Sequence, residues 1–148
     1  MSNKRIVVGV DGSGPSKSAL RWAARAAEVT GGGIDAIIAW QVPPNYGWYV
    51  ADAHWHPDQD AEKVITETVD EVFGADRPRD LRIIVRQGNP AKVLLDASRD
   101  AELLIVGSRG HGGFVGLLLG SVSSNCAEHS HCPVLVVHAD TVVDGASS

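Results

Sequence analysis

Five short apolar runs divide this chain, and the stretches between them carry apolar residues at helical spacing. The runs are Ile6-Val7-Val8-Gly9-Val10, Ile34-Asp35-Ala36-Ile37-Ile38-Ala39-Trp40, Leu81-Arg82-Ile83-Ile84-Val85-Arg86, Glu102-Leu103-Leu104-Ile105-Val106-Gly107 and Pro133-Val134-Leu135-Val136-Val137. Near-continuous apolar strands suit a parallel sheet buried on both faces. Alternation of strand and helix predicts an α/β fold: an open, parallel five-stranded sheet with helices on both faces. Crossovers in such a sheet are right-handed.

Length and composition agree. At 148 residues one domain is expected, and an apolar share of 44% is enough to build a core. Two cysteines exclude a disulfide scaffold. Apolar runs such as residues 114–119 fall far short of the roughly 20 residues that span a bilayer. The N-terminus has two basic residues and no secretory h-region, so the expected location is the cytoplasm and no membrane partner is expected. The net charge of −5 argues against nucleic acid, which selects a basic face. The densest basic cluster, Arg77, Arg79, Arg82 and Arg86, is interleaved with Asp76 and Asp80 and reads as a solvated mixed-charge face.

The connections have their own signals. Pro15, with Ser13 or Gly14 as cap, opens a first helix carrying Ala19, Leu20, Ala23, Ala26 and Ala27, and Gly31-Gly32-Gly33 ends it. Residues 41–59 hold three prolines and no period, which marks a functional or mobile loop. Asp60 opens a second helix with Val64, Ile65, Thr68, Val69 and Val72 on one side. Residues 76–80 form a loop. Gly88-Asn89-Pro90 turns into a short helix over 91–99, and Ser121 starts a last helix to about His129. Residues 140–148 read as a flexible tail, outside a domain spanning residues 3–139.

Ligands of such sheets bind at the carboxyl ends of the strands, where strand order reverses. Two turns there stand out: Asp11-Gly12-Ser13 after strand one, and the loop after strand four. The latter reads Gly107-Ser108-Arg109-Gly110-His111-Gly112-Gly113, then Gly116 and Gly120-Ser121-Val122-Ser123. Glycine bares backbone amides. The start of a helix favours an anion. Ser121 and Ser123 add hydroxyls, and Arg109 a planar cation suited to phosphate. A P-loop is excluded, because no glycine precedes a lysine. A dinucleotide fingerprint is also excluded: Gly12 and Gly14 lack their third glycine, and Gly110 and Gly112 meet Val115 in its place.

The spacing that fits is glycine, two residues, glycine, nine residues, then Gly-Ser: Gly107, Gly110, Gly120 and Ser121. With Val8-Gly9-Val10-Asp11-Gly12-Ser13 and Cys132-Pro133-Val134-Leu135-Val136-Val137, this pattern resembles the universal stress protein family (UspA domain), in its ATP-binding branch. The likeness covers about residues 3–139. It implies a Rossmann-like sheet of order 3-2-1-4-5, related to the adenine nucleotide alpha hydrolases. It also implies ATP, with magnesium or manganese, between the ends of strands one and four. By position, Asp11 would meet the ribose or adenine side, with Val10 and Ala39 bordering the base. Gly107, Arg109 and Gly110 would line ribose and phosphates. Gly120, Ser121, Val122 and Ser123 would hold the phosphates. Ala39 is smaller than the valine often found there. No protein side chain is expected to ligate the metal.

Other features read more plainly. Trp40, Trp48 and Trp55, with Tyr46 and Tyr49, tie the long loop to the sheet or form a lid. His54, His56, His129, His131 and Cys132 show no convergence toward a zinc site. Cys126 reads as a small buried hydrophobe. An apolar strand Val134–Val137 at the sheet edge calls for cover, and the family's habit of dimerising there implies a homodimer. No spaced carboxylate pair supplies a base, so a nucleotide-binding regulatory protein is expected, with catalytic residues none and at most slow hydrolysis or serine autophosphorylation. The rivals are a scaffold or sensor for another nucleotide such as cyclic AMP, and an ATP pyrophosphatase. The latter is disfavoured, because its Ser-Gly-Gly-x-Asp-Ser-type loop is absent after strand one.

Overall fold

The computed structural model describes residues 4–41, 56–109 and 120–138. It contains β1 (Arg5–Gly9), α1 (Gly14–Thr30), β2 (Gly33–Trp40), α2 (Pro57–Phe73) with a 3-10 turn at Gly74–Asp76, and β3 (Leu81–Gln87). Then follow α3 (Pro90–Ala97), β4 (Leu103–Gly107), α4 (Ser121–His129) and β5 (Val134–Val137). The strands form one sheet of order β3-β2-β1-β4-β5, and every pair is parallel. The expected class, strand order and edge position of Val134–Val137 are all present.

The two-residue period of the strands sorts the core. Ile6, Val8, Ile34, Ala36, Ile38 and Ile105 pack with Ala19, Leu20 and Ala23 of α1 and Ala61, Ile65 and Val69 of α2. The intervening residues Val7, Ile37, Leu104 and Val106 pack with Leu94 of α3 and Cys126 of α4. One face therefore carries α1 and α2, and the other α3 and α4. Burial pushes the Cys126 thiol up to about 11, so its thiolate is scarce at neutral pH and the residue serves packing.

Helix starts follow local chemistry. Ser13 caps α1 by accepting from the Ser16 amide at 3.3 Å. Asn89 caps α3 by accepting from the Lys92 amide at 3.2 Å. The second helix begins at Pro57, three residues before Asp60, with His56 as N-cap. Proline is favoured at a first helical position, because its missing N–H has no intrahelical role there. Val64, placed by periodicity on the inner side, is 36% exposed, while Ala61, Ile65, Thr68 and Val69 are buried.

At the amino ends of the strands sits an ionic cluster that the sequence did not announce. Asp35 of β2 pairs across the sheet with Arg82 of β3 in register. Arg82 donates to both carboxylate oxygens at 2.8 and 2.9 Å. Arg5 of β1 donates to Asp35 at 2.6 Å, to Asp80 at 2.7 Å and to the Ile34 carbonyl at 3.0 Å. Burial alone would raise the Asp35 carboxyl, but hydrogen bonds from Arg82 and Arg5, with their charges, hold it below its ordinary value. The basic cluster of the 77–86 region is thus partly spent on named acids: Arg82 on Asp35, and Arg77 on Asp70 at 2.7 Å.

Candidate functional site

Strand order reverses between β1 and β4, since β1 lies between β2 and β4. Both crossovers leave the carboxyl rim there and lead to opposite faces, which opens a crevice at that point. Val8 is level with Ile105 on β4, and Gly9 with Ile37 on β2. Val10 continues the ladder, donating to the Ile37 carbonyl at 2.8 Å. Val10, Asp11, Ala39 and Gly107 therefore stand together on one rim of three adjacent strands. Val10 is buried, while Asp11, Ala39 and Gly107 are half-buried.

The turn after β1 is held by its own side chains. Asp11 Oδ1 accepts from the Ser13 amide at 2.9 Å, and Gly12 takes the left-handed region at φ 84°. Ser16 Oγ donates to the Ser13 carbonyl at 2.9 Å. This turn brings the start of α1 onto the end of β4. A Cβ on Gly107 would lie 2.6 Å from Pro15 Cβ and 2.9 Å from the Pro15 carbonyl carbon. Glycine is needed there for close approach of β4 to α1, whatever its part in ligand contact.

The far side of the crevice is the start of α4. The Gly120 amide donates to the Ser108 carbonyl at 2.6 Å, which fixes the helix start against the end of β4. The Ser108 amide donates to the Val137 carbonyl of β5 at 2.7 Å. Ser108, a buried residue between the motif positions Gly107 and Gly110, has no sequence signal that marks this role. The N-cap of α4 is Gly120, with no side-chain capping bond and no proline in its first turn. The other three described α-helices each have a proline at their first or second position, and α1 and α3 carry side-chain caps as well. The first-turn amides of α4 are thus the least committed of the four, and they lie at the switch point. Ser121 and Arg109 are exposed and Val122 is half-buried. Ser123 is 2% exposed, and its hydroxyl donates inward to the carbonyls of Ser108 and Gly120.

Gly110 and the rest of the glycine loop to residue 119 lie outside the described residues. So do Trp48, Trp55, Tyr46, Tyr49, His54 and the tail, while Trp40 packs against the core from β2. Among the described residues no group of three or more His, Cys, Asp or Glu could hold a metal ion. A groove of about 510 Å³ lies elsewhere, between α3 and α4, lined by residues including Lys92, Asp96, Arg99, Asn125, His129 and His131. The rim at β1 and β4 is the stronger candidate, because loose amides and converging strand ends meet there. No helix among the described residues is long and apolar enough to cross a membrane.

Comparison with known proteins agrees with this geometry. The model of the universal stress protein family matches residues 2–138. The chain is 34% identical over 152 residues to the universal stress protein Rv2623 of Mycobacterium tuberculosis, a match covering 96% of this chain and 50% of the relative. It spans about half the length of the curated relatives it matches. Universal stress protein UspA from Lactobacillus plantarum shares the fold at a TM-score of 0.74 and 19% identity, over 93% of this chain and 99% of that one. A universal stress protein in complex with cAMP matches at a TM-score of 0.71 and 26% identity, over 94% of this chain and 100% of that one. The fold, the motif spacing and these matches together place the chain in the universal stress protein family.

Proposed function

We propose that the rim between β1 and β4 binds an adenine nucleotide, with ATP the preferred form, and that the chain is a nucleotide-dependent regulatory protein of the stress response. The observation that carries this reading is the start of α4: uncapped amides, held at the switch point by the Gly120–Ser108 bond of 2.6 Å. Such amides suit a phosphate. Gly107, Arg109, Gly110, Gly120, Ser121, Val122 and Ser123 form the phosphate and ribose side, and Val10, Asp11 and Ala39 the nucleoside side. Magnesium or manganese would arrive with the nucleotide. Turnover is expected to be slow at most. The exposed Ser121 is a better acceptor for autophosphorylation than the buried Ser123.

A second reading, a sensor of cyclic AMP in the cytoplasm, is favoured by the relative in complex with cAMP. A thermal-shift panel of ATP, ADP, AMP, cyclic AMP and GTP with magnesium separates the two. Saturation at 100 times the dissociation constant stabilises by about 2.7 kcal/mol, which raises Tm by about 5–10 °C for a chain of this size. ATP is expected to give the largest rise. A rise with cyclic AMP alone would select the second reading, and a flat panel would end both.

The edge strand β5 pairs only with β4 in the described sheet. Its outer edge leaves backbone donors and acceptors to be covered, and a second copy across Val134–Val137 does so with two-fold symmetry. Light scattering is expected to give a homodimer. A monomer persisting at high concentration would remove this part of the reading.

A further inference from the structure

We propose that the Ser123 hydroxyl positions the phosphate-binding amides and is not itself a ligand to phosphate, an inference that rests on the nucleotide reading of the rim. Its hydroxyl has one proton, shared between the Ser108 carbonyl at 3.0 Å and the Gly120 carbonyl at 3.2 Å. Ser123 is 2% exposed, so its hydroxyl makes these bonds largely out of reach of water. The Ser108 carbonyl also accepts from the Gly120 amide at 2.6 Å, and the Gly120 carbonyl from the Ser124 amide at 3.0 Å.

The consequence is electrostatic. A carbonyl oxygen facing the crevice would repel a phosphate and cancel the attraction of the neighbouring amides. The Ser123 hydroxyl gives two such oxygens at the helix start a second donor. It thereby leaves the first-turn amides of α4, those of Ser121, Val122 and Ser123, as the groups presented at the helix start. Without the hydroxyl, each carbonyl loses one of its two donors and is held by its backbone amide alone, which loosens the junction. The helix start then loosens against β4, where the Gly120–Ser108 bond ties it.

Calorimetric titration of ATP, tripolyphosphate and adenosine into the wild type, Ser123→Ala and Ser123→Thr tests this. Loss of charge-assisted bonds predicts about tenfold weaker ATP and tripolyphosphate binding in Ser123→Ala. Adenosine binding is expected to stay unchanged, and Ser123→Thr, which keeps the hydroxyl, to restore the phosphate ligands. Equal losses for ATP and adenosine, or no loss for either, would overturn the proposal. Amide hydrogen exchange gives a ligand-free readout. The Gly120 and Ser124 amides should exchange faster in Ser123→Ala while the sheet amides keep their protection, and unchanged exchange would overturn the proposal. A wild type that binds none of the three ligands would instead refute the nucleotide reading, leaving exchange to decide the role of the brace. Should Ser123→Ala fail to fold, Ser123→Cys, whose thiol donates weakly, takes its place in both experiments.

Discussion

Substituting Gly107 with valine is expected to lower stability by about 1–3 kcal/mol and to weaken ATP binding by about tenfold or more. The cause is a collision with backbone. The added Cβ would lie 2.9 Å from the Pro15 carbonyl carbon and 3.1 Å from the Ser16 nitrogen. Those atoms begin α1, whose cap Ser13 is tied to Asp11. A shift of α1 away from β4 therefore opens the crevice between the two sides of the site. Urea unfolding and calorimetry on the same samples check both effects. Stability and affinity equal to the wild type would show that β4 and α1 are not pressed together as described.

Replacing Asp35 with alanine is expected to cost about 2–4 kcal/mol. Breaking a buried pair costs about 3–5 kcal/mol, and here the more exposed Arg82 keeps access to water. Arg5 retains Asp80 and the Ile34 carbonyl, which limits the loss further. The effect depends on pH. Asp35 has a folded-state pKa below its ordinary 3.8. Its contribution is complete above the unfolded value and is lost as pH falls through the lower folded value. The stability gap between wild type and Asp35→Ala should therefore be full at pH 7 and shrink below about pH 4. Equilibrium unfolding across that range measures it. A gap that does not change with pH would mean that the loss is one of packing, not charge. ATP affinity should hold in this variant, because Asp35 lies near the amino ends of the strands and the rim at their carboxyl ends.

The sheet was legible because apolar runs buried on both faces leave little else for a chain to do. Strand order followed from the family likeness, and the two-residue alternation of Ile6, Val7 and Val8 is what divides the cores. The start of α2 lies before the expected Asp60 because Pro57, which composition groups with the prolines of the preceding segment, opens the helix. Asp35 stood in plain view inside an apolar run. Its partners, Arg5 and Arg82, lie 30 and 47 residues away and meet it only through register. The general signal was available: an acid in a doubly covered strand needs a cation. The glycine spacing marked the crevice, but the inward turn of Ser123 did not show. That direction depends on how α4 rolls to seat Cys126 against the sheet, which is a property of packing.

The bare start of α4 has a thermodynamic corollary. A serine or asparagine at a helix's first boundary contributes about 0.5–2 kcal/mol, and α1 and α3 have one permanently. The last helix does without, so an anion settling on its amides would act as a removable capping residue. Filling and emptying the crevice would then tune the order of the segment leading into β5, using a stabilisation that the other capped helices receive from their own side chains.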